Sequence, residues 1–362
     1  MERGTVKVVV INENSPVGPR STPSYNLACD RIAQYHRNQG DEVLQDRIMR
    51  PMDLLGAGKA YFSVCFTWDL PQAVADINQA RNYCEVEVGG PAATAMPEYI
   101  IEKTGVQPHI GLDQRFENLP GTYGACVNAR GCPRACPFCA VVKIEGKKII
   151  EYDNFPIPVG GFTGVGNNPY DLTNNVLATS WEHQQLVVDR LKNVKGLDLN
   201  SGFDCRIFAK DPEKYWNLYK NLRLECWRFA YDVEEEREPL KICAEFLSSK
   251  GIDYRHIIVF CLTGGPKQTF DMCVERLQYI KDLQCSPYSM RFRPLNALQK
   301  AYNPPGWREG DLELIFSYWN VPFVWRKTSW KQFKANYRYT HQPDDQRGFS
   351  AEASVMEQGR FE

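Results

Sequence analysis

The sequence predicts an α/β protein with a small doubly wound domain first, a longer β/α series after it, and a helical extension at the C terminus. Three observations predict this. The β-branched run Val6-Lys7-Val8-Val9-Val10-Ile11 has the continuous apolar character of a strand buried on both faces. Short strand-like segments then alternate with stretches of helical period, the order that implies a parallel sheet. From Asp311 to about Tyr339 the chain is helical in character and aromatic.

A Pro/Gly-rich loop follows the first strand to about Pro23. From Tyr25 to Gln39 the apolar positions Leu27, Ala28, Ile32 and Tyr35 keep helical spacing, and Gly40 supplies the stop. Strands are expected at Glu42–Leu44, Ala60–Phe66 and Glu85–Val88, with a helix near Pro71–Tyr83 between the last two. The Gly89-Gly90-Pro91 turn closes a strand where doubly wound sheets often meet ligands. This first domain is expected to span residues 1–122.

A second series begins at Tyr123 and runs to about residue 310. Its strand candidates are Tyr123–Asn128, Leu197–Asn200, Cys226–Tyr231, His256–Phe260 and Ser289–Phe292. About six such units suggest a partial or full barrel. Asp232, with Glu235 three residues later, reads as a capping box opening a helix over Val233–Ser249. The run Glu234-Glu235-Glu236 then complements a helix N terminus and receives no catalytic role. Residues 311–362 form the helical extension and, from Gln342, a polar tail.

Across 362 residues, 43 Lys+Arg stand against 44 Asp+Glu, a net charge of −1, which excludes nucleic-acid or anionic-membrane binding driven by whole-protein charge. With 43% hydrophobic and 24% charged residues, the composition is that of a folded protein. No run approaches the roughly 18 apolar residues of a membrane span, and Met-Glu-Arg-Gly-Thr lacks a secretory preamble, so a soluble, cytoplasmic protein is expected.

Thirteen cysteines, an odd number at irregular spacing, argue against a closed disulfide framework and for a reducing compartment. Three stand close together in Gly131-Cys132-Pro133-Arg134-Ala135-Cys136-Pro137-Phe138-Cys139, on a loop that can wrap a metal centre. Thiolates suit zinc or iron–sulfur clusters. A structural zinc site needs four protein ligands, and no second Cys-x-x-Cys or His-x3-His follows. A [4Fe–4S] cluster on three cysteines leaves one iron open for a small molecule. A zinc knot completed by Cys126 is the alternative.

Cys-x3-Cys-x2-Cys with the aromatic Phe138 before the third cysteine resembles the signature of the radical S-adenosylmethionine superfamily. The surroundings resemble its branch with an N-terminal cobalamin (B12)-binding-like domain. The matching residues are Asn26-Leu27-Ala28, Tyr35-His36, Gly40-Asp41-Glu42-Val43, Val88-Gly89-Gly90-Pro91, the Glu145-Gly146-Lys147 hairpin, Thr173-Asn174-Asn175, Leu199 to Arg206, and Arg291-Phe292-Arg293-Pro294-Leu295. They run in order over about residues 5 to 340.

The resemblance implies a Rossmann-like first domain and a partial (β/α)6 barrel. It also implies an oxygen-sensitive [4Fe–4S] cluster on Cys132, Cys136 and Cys139, with S-adenosylmethionine chelated to the open iron. Reductive cleavage would give a 5′-deoxyadenosyl radical that modifies a substrate at an unactivated carbon by methylation, rearrangement or a similar step. A flavodoxin or ferredoxin would supply the electron. By motif position Asn174 and Asn175 meet the methionine amine, although the usual Gly-Gly-Glu is absent there. Asp204 and Arg206 suit the ribose hydroxyls and the methionine carboxylate. Gly264 and Gly265 allow close backbone approach to the adenine. Cobalamin is less expected than not, because none of the five histidines stands in Asp-x-His-x-x-Gly.

Other readings stand beside these. Asn174-Asn175 is also a turn or cap pair, Asp204 and Arg206 could be an ion pair at a barrel mouth, Gly264 and Gly265 a plain loop, and Phe138 loop packing. Cys29, Cys65 and Cys84 exist for a second cluster of the methylthiotransferase kind, but their local sequence does not match that family. The segment Phe323–Arg338 carries cations among aromatics and would suit stacking on nucleic acid; packing of a terminal helix is favoured. A zinc-stabilised, non-catalytic nucleic-acid-binding protein is thus the alternative function. As substrate, a nucleic acid, a peptide and a metabolite all remain open, and no membrane partner is expected.

Overall fold

The computed structural model describes residues 4–14, 25–46, 49–160 and 168–337. Most of the Pro/Gly-rich loop, Arg338 and the polar tail lie outside the described residues. The protein is a mixed α/β structure with parallel sheets. Among the described residues no helix is long and apolar enough to cross a membrane.

The first sheet contains β1 (Lys7–Asn12), β2 (Glu42–Asp46), β3 (Ala57–Ser63) and β4 (Glu85–Gly89), all parallel, in the order β2-β1-β3-β4. Val8 to Ile11 are fully buried because both faces of β1 are covered. Val8 and Val10 pack with Cys29, Ile32 and Ala33 of helix Leu27–Asn38, while Val9 and Ile11 pack with Leu70, Ala73 and Ile77 of helix Leu70–Ala80. Each such side chain contributes roughly 1.5–3 kcal/mol on burial. Asn26 caps the first of these helices by accepting from the N–H groups of Ala28 and Cys29 at 3.1 and 3.4 Å.

The second part contains β5 (Ala125–Cys126), β6 (Ala129–Arg130), β7 (Ile150–Glu151), β8 (Tyr170–Asp171), β9 (Lys195–Leu199), β10 (Arg223–Leu224), β11 (Trp227–Ala230), β12 (Ile257–Thr263) and β13 (Ser286–Arg291). Strands β6 and β7 form an antiparallel pair. The others make two parallel sheets, β10-β9-β8-β5 and β11-β12-β13. The sheets meet where Arg228 of β11 donates Nε and Nη2 to Asp198 of β9 at 2.7 and 2.6 Å, and the Phe203 N–H donates to the Arg228 carbonyl at 2.7 Å. One hydrophobic core runs from Cys126 to Trp325 under both sheets.

Among the described residues the two parts touch at several places, including the Arg130–Glu117 ion pair and the Gly124 N–H on the Tyr25 hydroxyl. Leu27 packs with Tyr123, Ala125 and Val127. At the other end Thr67 Oγ1 donates to the Ala297 carbonyl at 2.6 Å, Arg293 lies 5.2 Å over the Trp68 ring, and Leu298 packs on the first core.

Three expectations need correction. The box sits one residue later than expected: a 3-10 turn, Glu234–Glu236, starts after Val233 and leads into helix Arg237–Ser249, and Glu236 Oε2 reaches back to accept from the Asp232 and Val233 N–H groups at 2.7 and 3.2 Å. Asp232 instead turns its carboxylate to the Leu262 N–H of β12 at 2.7 Å. The Glu145-Gly146-Lys147 segment is the end of a short helix, Val141–Glu145, and the turn after it. The C-terminal tract is three short helices, Asp311–Trp319, Pro322–Lys327 and Trp330–Asn336, because Pro322 opens one and Ser329 caps the next. Trp330 lies against Trp319 and Tyr318, Phe333 against Tyr318, and Trp325 is buried, so these aromatics pack; Phe323 remains exposed.

Candidate metal centre

In parallel strands all C-terminal ends face one edge, so the segments after β5, β8, β9 and β11 converge there. The cysteine loop begins after β6. Asn128, between β5 and β6, donates Nδ2 to Asp171 of β8 at 2.6 Å, and its N–H donates to Thr173 Oγ1 at 2.9 Å. His183 Nε2 meets Asn128 Oδ1 at 3.1 Å. The loop leaves this buried clamp through Gly131, at φ +87°, where an added Cβ would lie 2.1 Å from the Lys148 carbonyl oxygen. Only glycine fits that approach.

Cys132, Cys136 and Cys139 are half-buried, whereas eight of the other ten cysteines are buried. The loop folds back on itself: the Cys132 N–H donates to the Gly146 carbonyl at 3.2 Å, and the Cys139 N–H to the Cys136 carbonyl at 3.1 Å. The thiols feel one another. Burial pushes the Cys136 thiol up, with Cys139 and Cys132 adding and Arg206 opposing; burial also raises Cys139, with Cys132 and Glu145 adding. Among the described residues no three His, Cys, Asp or Glu side chains gather closely enough for one metal ion. Cys126, by contrast, is fully buried in the hydrophobic core.

Asn175 is buried beside the loop. Its Nδ2 donates to Cys132 Sγ at 3.9 Å and to Asp204 Oδ2 at 3.2 Å, and its Oδ1 is buried without a hydrogen-bond partner. It starts a short 3-10 turn without capping it by side chain. Asn174 points its amide elsewhere, to Glu145 Oε2 at 2.7 Å.

Asp204, its side chain 4% exposed, binds Arg134 Nε through Oδ2 at 2.6 Å. Through Oδ1 it accepts from Arg206 Nε and the Arg206 N–H, both at 3.1 Å. Burial works to raise the Asp204 pKa, but Arg134 and Arg206 outweigh it and hold the carboxyl below the usual range. Arg206 Nη2 reaches Glu236 Oε1 at 3.2 Å. The cation between the first two thiols, Arg134, is thus tied to the segment after β9, and Glu236 to Arg206.

Cys132, Asn175, Asp204 and Arg206 therefore come together, with Arg134 and Glu236 as members the sequence reading did not single out. Arg134 carried a signal, a cation between two thiols. Phe138 is half-buried and packs on none of the four core clusters. On the loop after β12, a Cβ at Gly264, φ +78°, would lie 2.6 Å from Pro304 Cγ, and the Gly265 N–H donates to Gln268 Oε1 at 2.9 Å.

No protein-family profile matches the chain, and no curated protein matches it. Among solved structures it is similar to a cobalamin-dependent S-adenosylmethionine radical enzyme, OxsB, solved with aqua-cobalamin and S-adenosylmethionine bound. The sequence identity is 13%, the TM-score 0.29, and the match covers 88% of this chain and 48% of that one. The chain therefore spans about half the length of that enzyme.

Proposed function

We propose that the protein is a radical S-adenosylmethionine enzyme whose [4Fe–4S] cluster is held by Cys132, Cys136 and Cys139. The observation that carries this reading is three half-buried thiols on one anchored loop beside Asn175, whose buried Oδ1 has no partner. An orphaned acceptor beside the thiols fits a ligand that brings an N–H donor, as an amino acid would. The thiols' chemistry and number fit a cluster with one open iron. When bound, the cluster would supply the electron that splits the sulfonium of S-adenosylmethionine.

In this reading Asn175 binds the methionine amine, and Asn174, held by Glu145, does not. Arg206 and Arg134 provide positive charge for a carboxylate, and Asp204 orients both guanidiniums through its two oxygens. Phe138 flanks the cluster. The six strands β5, β8, β9, β11, β12 and β13 form the partial barrel, residues 1–122 the cobalamin-binding-like domain, and residues 311–362 the extension. Gly264 and Gly265, on the loop after β12, give the backbone its close approach to the adenine. The substrate is modified at an unactivated carbon.

The zinc-stabilised nucleic-acid-binding reading fares less well on one observation: of the aromatics meant for nucleic acid, Trp325 is buried and Trp330 and Phe333 pack on Tyr318. The test is anaerobic reconstitution with iron and sulfide, then reduction with S-adenosylmethionine and assay of 5′-deoxyadenosine. The wild type should form it, and Cys132→Ala, Cys136→Ala and Cys139→Ala should not. Zinc without iron, and intact S-adenosylmethionine, would overturn the proposal.

A further inference from the structure

A chain of alternating buried charges runs from the first sheet's helix to the cysteine loop. Arg31 Nη1 meets Glu117 Oε1 at 3.0 Å; Arg130 of β6 donates Nη2 and Nε to the same carboxylate at 2.9 and 3.1 Å; and Arg130 Nη1 meets Glu145 Oε1 at 2.7 Å. The side chains of Arg31, Glu117, Arg130 and Glu145 are 2, 11, 15 and 7% exposed. Two positive and two negative side chains alternate along this buried chain. Burial alone would raise Glu117, yet Arg130 and Arg31 bring it below its ordinary value.

The chain ends on neutral donors at the loop. Glu145 Oε2 accepts from the Gly131 N–H at 2.8 Å and from Asn174 Nδ2 at 2.7 Å. Gly131 immediately precedes Cys132, and its backbone runs so close to Lys148 that an added Cβ would meet the Lys148 carbonyl oxygen. Among the described residues Glu145 takes a backbone N–H of the loop together with Asn174, whereas Asp204 takes the Arg134 side chain together with Asn175.

From this juxtaposition we propose that Glu145 is a positioning residue of the metal centre: it fixes the amide before Cys132, takes Asn174 so that Asn175 alone faces Cys132, and by its retained charge lowers the reduction potential of what the thiols hold. A nearby negative charge disfavours the more reduced, more negative state. The part concerning potential rests on the cluster reading above; the part concerning the loop does not.

The experiment compares wild type, Glu145→Gln and Glu145→Asp. Amide exchange at Gly131 and Cys132, resolved by fragmentation mass spectrometry, is measured on metal-free protein, and the cluster midpoint potential on reconstituted protein by redox titration. In the wild type the Gly131 amide should be among the slowest in residues 129–146. Glu145→Gln should exchange at least tenfold faster there and have a more positive midpoint, whereas Glu145→Asp, which keeps the charge, should stay near the wild-type potential. A Gly131 amide that exchanges rapidly in the wild type, unchanged exchange in Glu145→Gln, or equal potential shifts in both variants would overturn the proposal. If the wild type takes up no iron, the cluster reading fails and exchange alone judges the positioning. If Glu145→Gln does not fold, the wild-type exchange and the Asp variant decide.

Discussion

At Gly131, with φ +87°, a single added methyl is incompatible with the Lys148 carbonyl. Gly131→Ala should therefore destabilise the fold by about 2 kcal/mol or more and lower bound iron after reconstitution; melting curves and iron analysis check both, and a wild-type melt with full iron would reject the account. A second residue sets a pH dependence. Glu13, just past β1, is buried, and its pKa is raised to about 8, first by burial and then by the charge and shared hydrogen bond of Asp76, with Asp69 adding. Asp76 is itself raised by burial. A carboxyl whose folded pKa lies above its unfolded one holds its proton longer in the folded state. Its contribution is complete below the ordinary carboxylate range and is lost as pH rises from about 4.5 to about 8. Since one unit is about 1.4 kcal/mol, the melting temperature of Glu13→Gln relative to wild type should rise by several degrees between pH 4 and pH 9. A constant difference across that range would show that Glu13 is not the group responsible.

At the scale of elements, the C-terminal helices separate packing from charge. Trp330 rests on Trp319 and Tyr318 while Lys331 is exposed. Trp330→Ala should cost about 2–3 kcal/mol and Lys331→Ala less than about 0.5, measured by urea unfolding; the reverse order would return this surface to a binding role. The same contrast explains what could be read ahead of the structure. The β1 run and the helix ending before Gly40 were legible because local pattern decides them, apolar on both faces in one case and helical spacing with a stop in the other. The cysteine loop was legible because its three ligands are adjacent in sequence. The loop's surroundings were not: Arg31 and Glu117 are 86 residues apart, and Arg134 and Asp204 are 70 apart, so no local pattern announces them. The capping box before helix Arg237–Ser249 failed by one position: Val233 and Glu236 stand where Asp232 and Glu235 were expected, and Asp232 is drawn across the sheet to Leu262. Of the two asparagines, which one faces Cys132 depends on Glu145, a residue the resemblance supplied only as part of a turn.

At the scale of the whole molecule, the first sheet and the second part are joined by the charges of Arg31, Glu117 and Arg130. Buried ions are little screened by salt. Glu117→Gln leaves two buried guanidiniums short of compensation and should cost about 3 kcal/mol or more, nearly unchanged in 0.5 M salt; denaturant titrations at two ionic strengths measure it, and a loss below about 1 kcal/mol would mean that the bridge carries little. The second junction, Thr67 with Ala297 and Leu298 on the first core, ties residues 230 positions apart. This has a consequence for biosynthesis. On the ribosome the first sheet can assemble early, but the surface around Thr67 stays uncovered until residue 298 emerges, which at about 5–20 residues per second takes roughly ten seconds to a minute. During that interval the nascent chain presents an unfinished apolar edge, so a chaperone that recognises such edges has its window there, and a pause in translation ahead of residue 298 prolongs it.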